Sequence, residues 1–328
     1  MKVIRILTNN PAINLATEEY YLTDKQFEND DIFLFWKNKN TIVIGKNQSY
    51  SSEVNQIEAN KLKVHVVRRP SGGGAVYHDD GNICFTFIKR NQKNNFKFKD
   101  CLQDIVDFLN SININAQFSG RNDIVVNNRK ISGNAVLFYK NDYLIHGTLL
   151  FNVDVEKMLT LLTVDKSKLT SKGIESVKSR VVNLIDLTHL NSEEFEEKFI
   201  NFFEQKYQTK REDVDLTNDY AIQKIMRQKY SNDEWTYGRD FEFNYTNKIK
   251  LEQGLLEVKL QNEKNIIKDI IFSTDGLFCN DLEAFTKLFL NQKYEIDNIK
   301  KLISNFDLNK IINGLTVTHI IELLFKNG

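Results

Sequence analysis

The stretch GRNDIVVNNRKISGNAV, Gly120 to Val136, decides the fold class. Within it DIVV and RKIS flank Asn127-Asn128, and asparagine tolerates the positive φ values that a two-residue hairpin loop requires, so DIVVNNRKIS predicts an antiparallel hairpin. Other β-rich runs surround it. NICFTFI alternates Ile83, Phe85 and Phe87 with Cys84 and Thr86, VHVVRR and HGTLLFNVD read as strands, and DIFLFW and TIVIGK, separated by the polar KNKN, predict a second hairpin. Helical spacing appears between these runs. Asn14 ahead of Leu15, Glu18, Glu19 and Leu22 reads as a capped helix, Glu53 to Lys61 as another, and Phe98, Leu102, Ile105, Val106 and Leu109 place one apolar face on a helix over 97–110. Strands and helices mixed without strict βαβ alternation predict an α+β domain, its mixed or antiparallel sheets flanked by helices.

The chain has 328 residues, 41% of them hydrophobic and 23 of them Phe, which is enough for a large core with a smaller one beside it. Helices carrying acidic residues continue to about residue 228. The segment KYSNDEWTYGRDFEF, 229–243, returns to strand-like composition and marks the expected boundary: a domain of residues 1–238 followed by a small α+β module of 239–328. The module is expected to hold strands near 240–247, 254–261 and 266–272, then two helices, one with Leu282, Phe285, Leu288 and Phe289 and one with Ile320, Leu323 and Leu324.

Forty-four basic residues balance 44 acidic ones, so no global field draws the chain to nucleic acid or an anionic membrane. No apolar run approaches the roughly 20 residues of a transmembrane helix, and the first 20 residues hold no apolar signal core; a cytoplasmic protein is expected. Cys84, Cys101 and Cys279 are odd in number and widely spaced, which argues against a disulfide framework or a zinc site.

RRPSGGGAVYHD, Arg68 to Asp79, concentrates four of the chain's 14 glycines and 2 prolines on five adjacent positions. Glycines let successive N–H groups converge on phosphate oxygens, and Arg68 and Arg69 stand just upstream to add charge-assisted bonds. The stretch fits neither the G-x-G-x-x-G fingerprint, which opens a helix, nor a P-loop, which ends in Gly-Lys-Ser/Thr. On these residues alone it is divided between a linker and an anion nest. Lys130 reads equally as a solvated hairpin lysine, Asp123 as a partner for Arg121, His78 and His146 as structural histidines, and the polar VDKSKLTSKGIESVKSRVVN of 164–183 as an exposed loop.

Taken in order, WKNKNTIVIGKNQ, RRPSGGGAVYHDDGN, GRNDIVVNNRKISGNAV, IHGTLLFNVD and SKGIESVKSRVVNLID resemble the lipoate-protein ligase family, with DEWTYG resembling the family's aromatic lead-in to its accessory domain. The resemblance covers essentially the whole chain. It implies a biotin/lipoate ligase-like catalytic domain that activates lipoate with ATP and Mg²⁺ to lipoyl-AMP. The lipoyl group then passes to a lysine of a carrier, either the lipoyl domain of a 2-oxoacid dehydrogenase complex or the glycine cleavage H protein. It further implies Lys130 as the central catalytic lysine, and Arg69, Gly74, Ala75, Val76, Tyr77, Lys130 and Arg180 as ATP or adenylate contacts. Ser71, Gly72, Gly73, His78, Lys130 and His146 are implied on the lipoate side, Asp123 at Mg²⁺, and 164–183 as an adenylate-binding loop. Val76, Ile131, Val136 and Leu149 are candidates to line an acyl tunnel. A monomer is expected. Two other readings stand beside this one: an octanoyl or lipoyl transferase, which needs a cysteine nucleophile, and a non-catalytic binder of lipoyl carriers.

Overall fold

The protein is described from a computed structural model, which covers residues 1–162, 179–238 and 243–326. In chain order the elements are β1 Lys2–Ile6, α1 Pro11–Thr23, β2 Ile32–Trp36, β3 Thr41–Ile44, α2 Tyr50–Glu53, α3 Gln56–Lys61, β4 His65–Arg68, β5 Val76–His78 and β6 Asn82–Lys89. Then come α4 Phe98–Ser111, β7 Gln117–Ser119, β8 Asp123–Val126, β9 Arg129–Tyr139, β10 Asp142–Leu150, α5 Val155–Leu161, α6 Ser192–Tyr207, β11 Glu212–Val214, α7 Tyr220–Ile225 and α8 Asp233–Tyr237. The chain closes with β12 Tyr245–Leu251, β13 Gly254–Glu263, β14 Ile266–Thr274, α9 Leu282–Lys287, α10 Ile296–Ile303 and α11 Val317–Phe325.

The chain divides into two compact units. The first comprises residues 1–43, 54–68 and 76–235; the second comprises 44–53, 69–75 and 236–328. The first is built on an eight-stranded sheet in the order β11-β1-β2-β6-β10-β9-β8-β7, parallel where β1 meets β11 and β2 and antiparallel from β2 through β7. A small sheet runs β4-β3-β5. Every residue of β2 is buried, because both faces of the large sheet are covered. Ile32, Leu34 and Trp36 meet Ile13, Leu15, Ala16 and Leu22 of α1 in one core. Phe33 points to the other face, where it stacks on Phe203 of α6 at 3.9 Å, while Phe108 of α4 meets Phe199 of α6 at 4.8 Å. Phe195, Phe199 and Phe203 recur every four residues on α6 and are all fully buried. Each such ring contributes about 1.5–3 kcal/mol on burial, so this aromatic layer outweighs any single polar contact on that face.

The second unit holds the antiparallel sheet β12-β13-β14, whose Leu256, Val258, Leu260 and Phe272 pack on Phe285, Phe289, Ile299, Ile303, Ile320 and Leu323. Strands β13 and β14 lie where the composition predicts them, while β12 runs from Tyr245 to Leu251 rather than over 240–247. Three helices follow rather than two, since the apolar face of α10 is carried by only Ile299 and Ile303 as buried residues.

Several local expectations change. Helix α1 begins at Pro11, with the Asn10 side chain accepting from the amides of Ala12 at 3.0 Å and Ile13 at 3.3 Å. Proline's fixed φ suits the first helical position. Asn14 lies fully buried inside the helix, its Nδ2 donating to Lys37 O at 2.8 Å and Asn38 Oδ1 at 2.9 Å. Strands β2 and β3 do not form a hairpin: Phe33 pairs with Phe87, whereas Ile42 pairs with Tyr77. Both strands are apolar on both faces, so each takes its own neighbours and the polar turn only redirects the chain. The expected helix over 53–61 splits at Val54 and restarts under an Asn55 cap. Within the 229–243 segment residues 233–237 form α8 rather than a strand, and 239–242 lie outside the described residues. The hairpin β8–β9 and the helix α4 appear as predicted, with Asn127 and Asn128 at φ 50° and 61°.

Candidate active site

In the first unit the hairpin carries Lys130 and Asp123. A bulge shifts the register between Ile124 and Val125, so that Val125 opposes Lys130 while Ile124 opposes Ser132. The outer edge of β9 at Lys130 is closed by the segment after the basic loop: Lys130 N donates to Arg180 O at 2.7 Å, and Val182 N donates to Lys130 O at 3.1 Å. That pins the lysine backbone while leaving its side chain 41% exposed, its Nζ 2.8 Å from Asp123 Oδ1. An ion pair this exposed adds at most about 1 kcal/mol to stability. Its effect is to fix the direction in which the ammonium group points. Gly133 keeps the ground beside it clear, since a Cβ there would come within 3.0 Å of Lys130 Nζ and 3.1 Å of Cε.

His146 lies on the strand next to that of Lys130, on β10 opposite Ala135 of β9 and Thr86 of β6. It is 7% exposed, and its Nδ1 sits 3.1 Å from both carboxylate oxygens of buried Glu18. The Thr86 hydroxyl donates to the same carboxylate and accepts from Trp36 Nε1 at 2.9 Å. This buried chain joins α1 to three strands; it satisfies each polar group that burial would otherwise penalise. His78, also buried, has Nδ1 3.2 Å from Asn38 Nδ2 and 3.6 Å from Cys84 Sγ. Tyr77 is buried with its hydroxyl donating to Asn40 Oδ1 at 3.1 Å, and Lys157 Nζ lies 5.4 Å from its ring centroid. Val76 is partly buried and packs on the α1-side core. Of the tunnel candidates, Ile131 and Leu149 are fully buried and Val136 nearly so. The backbone of Arg180 is placed against Lys130, whereas residues 163–178, most of the expected adenylate loop, lie outside the described residues.

The glycine stretch from Arg69 to Ala75 belongs to the second unit. Arg69 is 6% exposed and folds its guanidinium into the loop: Nε donates to Ser71 Oγ at 3.1 Å, and one terminal nitrogen donates to Gly72 O at 2.8 Å and Gly74 O at 2.7 Å. Ser71 is buried with its carbonyl accepting from Lys46 N at 2.9 Å. Backbone also presses on the loop: a Cβ on Gly72 would meet Gly276 O at 2.6 Å, and one on Gly45 would meet Gly73 O at 2.2 Å. Gly73 has φ 93° and needs glycine on that count as well. Gly74 is exposed, with nothing within 4 Å of its Cβ position. The loop is therefore a braced arch with one open glycine. A floppy linker would lack that bracing.

The cysteines all lie among the described residues and none is bridged. Burial pushes the fully enclosed Cys84 thiol well up, with Glu18 adding to the effect, and burial likewise raises Cys101, whose Sγ is 3.0 Å from the Tyr143 hydroxyl. Neither offers a thiolate. Among the described residues no group of three His, Cys, Asp or Glu side chains could hold a metal ion by itself. A lone carboxylate such as Asp123 still fits Mg²⁺, which is commonly held by one or two carboxylates together with phosphate oxygens and water.

One polar pair beside this hairpin carries no signal in the sequence. Asn122 and Asn134 sit inside the quoted GRND and SGNA motifs, yet only the strand register reveals that they face each other.

This architecture is that of an acyl-protein ligase catalytic domain with a C-terminal module. The crystal structure of P. falciparum LipL1 in complex with lipoate matches with a TM-score of 0.77 at 25% identity, over 97% of both chains. A lipoate-protein ligase A bound with ATP matches with a TM-score of 0.62 at 23% identity, over 73% of this chain and 99% of that one, a likeness of fold. Residues 10–204 match the lipoyl protein ligase A/B catalytic domain, and 240–324 match the bacterial lipoate protein ligase C-terminus. The probable lipoate-protein ligase A of Mycoplasma pneumoniae is 38% identical over 97% of this chain and 96% of its own length. Lipoate–protein ligase 1 of Staphylococcus aureus is 34% identical over 98% and 100%. The chain belongs to the lipoate-protein ligase family and is a ligase. Among its described residues no helix is long and apolar enough to cross a membrane.

Proposed function

We propose that this ligase joins lipoate to ATP, releasing pyrophosphate, and then passes the lipoyl group from lipoyl-AMP to a lysine of a carrier domain, releasing AMP. The carriers in this reading are lipoyl domains of 2-oxoacid dehydrogenase complexes or the glycine cleavage H protein. Residues 1–238 carry both steps and 239–328 form the accessory module. The observation that carries the reading is Lys130, backbone-pinned on β9 with a half-exposed ammonium aimed by Asp123.

In the first step a lipoate oxygen attacks the α-phosphorus, so two anions must approach. Lys130 offsets their repulsion: a compact ammonium with three donors can reach a carboxylate oxygen and a phosphate oxygen at once, which a planar guanidinium fork cannot. Asp123, displaced from Lys130 by the incoming anions, would help hold Mg²⁺. When bound, that ion would neutralise charge on the phosphates. The glycine arch offers backbone amides at Gly74 and Ala75, and Arg69 contributes by holding the arch in shape; Val76 and Tyr77, on β5, are assigned as adenylate contacts on motif position. In the second step the acceptor amine attacks the activated carbonyl and AMP leaves. Orientation dominates there. Arg180, Ser71, Gly72, Gly73, His78 and His146 are assigned to the adenylate and lipoate sides on motif position.

A transferase working through an acyl-cysteine is disfavoured by the enclosed Cys84 and by the raised thiol of the partly exposed Cys101. Lipoate-dependent ATP–pyrophosphate exchange, followed by mass spectrometry of a lipoyl domain, tests the proposal. Exchange that requires lipoate and a carrier that gains one lipoyl group are expected; carrier binding without exchange, or an acyl-enzyme, would overturn it.

A further inference from the structure

The ladder between β8 and β9 ends at Asp123, which opposes Gly133. One residue further on, side chains continue it. Asn134 Nδ2 donates to Asn122 O at 2.8 Å, and Asn122 Nδ2 donates back to Asn134 O. Asn134 also donates to Ser132 Oγ at 3.2 Å and is 4% exposed. Its other flank is fixed by the neighbouring strand. Asn134 opposes Gly147 of β10, and a Cβ on Gly147 would lie 1.9 Å from Asn134 Oδ1 and 2.5 Å from the Phe85 ring. The glycine of the HGT motif therefore makes room for the Asn134 amide.

We infer that Asn134, with Asn122, is a positioning residue for the ligase reaction, clamping the turn immediately before Asp123 so that its carboxylate aims Lys130. The inference rests on the assignment of Lys130 as the catalytic lysine. The geometry argues for positioning over simple stabilisation. The clamp lies past the last β8–β9 backbone pair, on the short turn of residues 120–122 that links β7 to β8, where Gly120 has φ 59°. Asp123 is paired along the backbone with Ser119 of β7 and Gly133 of β9, and the clamp adds a side-chain tie one residue earlier, so its loss loosens the turn that leads into the Asp123 carboxylate. The Asn134 side-chain amide bonds to the Asn122 carbonyl and to Ser132 Oγ, so its effect on Asp123 passes through the backbone.

The test is lipoate-dependent ATP–pyrophosphate exchange with Mg²⁺ in the full chain, for Asn134→Ala, Asn122→Ala and the double variant. Assays are run at a temperature where circular dichroism shows each variant folded. A misplacement of about 1 Å lowers kcat on the order of 10²-fold, so each single variant is expected to lose roughly 10- to 100-fold in kcat with the KM for lipoate little changed. The double variant should be no worse than the more severe single one, because both remove the same reciprocal pair. Wild-type kcat in a folded single variant, or losses that multiply in the double, would overturn the inference. Should Asn134→Ala fail to fold, Asn122→Ala, at a partly exposed position, decides by the same criterion. Lys130→Ala run alongside separates the two claims: turnover in that variant sinks the catalytic assignment itself, whereas an inactive Lys130→Ala beside fully active asparagine variants sinks only the clamp.

Discussion

Replacing Glu53 with glutamine is expected to stabilise the second unit at alkaline pH and to do so less as the pH falls. Burial raises the Glu53 carboxyl from an ordinary glutamate value to about 7, helped by the facing charges of Asp275 and Glu257 and opposed by a hydrogen bond from Gln48 and the charge of Arg69. The folded form thus holds a proton more tightly than the unfolded chain. Below about 4.5 both states are protonated and the group is neutral in its effect. Between about 4.5 and 7 the unfolded chain has lost the proton while the folded one keeps it, so stability falls as pH rises; above about 7 the full penalty is present. A shift of that size corresponds to about 3 kcal/mol at most, and because Glu53 is only partly buried by surface exposure, solvent screening should leave about 1–3 kcal/mol. Glutamine has similar shape and no charge to desolvate. Calorimetric melting of both proteins at pH 5, 6, 7 and 8 should show E53Q gaining on the wild type up to about pH 7 and then holding level. A gap that is constant across the series, or widest at pH 5, would refute the reasoning.

Four further outcomes follow from the geometry. Lys130→Arg should lower lipoate-dependent pyrophosphate exchange on the order of 10²-fold or more while leaving the melting temperature close to wild type, because the exposed pair with Asp123 adds little stability. Cys84→Ala should retain exchange, with no acyl-enzyme mass in either protein, since its thiol is enclosed and its ionisation suppressed. Gly45→Ala should destabilise by about 1–3 kcal/mol in denaturant titration, as its Cβ would overlap Gly73 O at 2.2 Å. Asn10→Ala should cost about 1 kcal/mol by removing the cap of α1, measurable in the same titration.

The α+β class and the β8–β9 hairpin were legible because a two-residue Asn-Asn turn and the alternation around it are local signals. The amphipathic helix 98–111 was legible for the same reason. Pairing partners were not: TIVIGK carries no mark that says Tyr77 rather than Trp36 will lie beside it. The helix start moved from Asn14 to Asn10 because two asparagines compete for the cap, and only Pro11 and the carbonyl of Lys37 break the tie. For the candidate site, Lys130 and Asp123 stand together in the structure, a pairing that no local signal announces. What sequence could not convey is how Arg69 spends its donors. An arginine before three glycines reads as a phosphate ligand, yet here at least three of its bonds go to Ser71, Gly72 and Gly74, a use visible only once the loop has folded over it.

The second unit is stitched from three separate stretches of chain. Lys259 of β13, 4% exposed, donates to Ser49 Oγ at 2.7 Å and Ser51 Oγ at 2.6 Å, Thr274 N donates to Asn47 O at 2.9 Å, and Gly73 N reaches Gly276 O at 3.4 Å. A stop codon after residue 238 would therefore not yield a catalytic domain trimmed of an appendage. It would leave residues 44–53 and 69–75 translated but orphaned, a buried lysine's worth of hydroxyl partners and a glycine arch exposed to water. Loss of activity in such a fragment would report an unbraced glycine arch, and supplying 239–328 as a separate polypeptide is the complementation that would restore it.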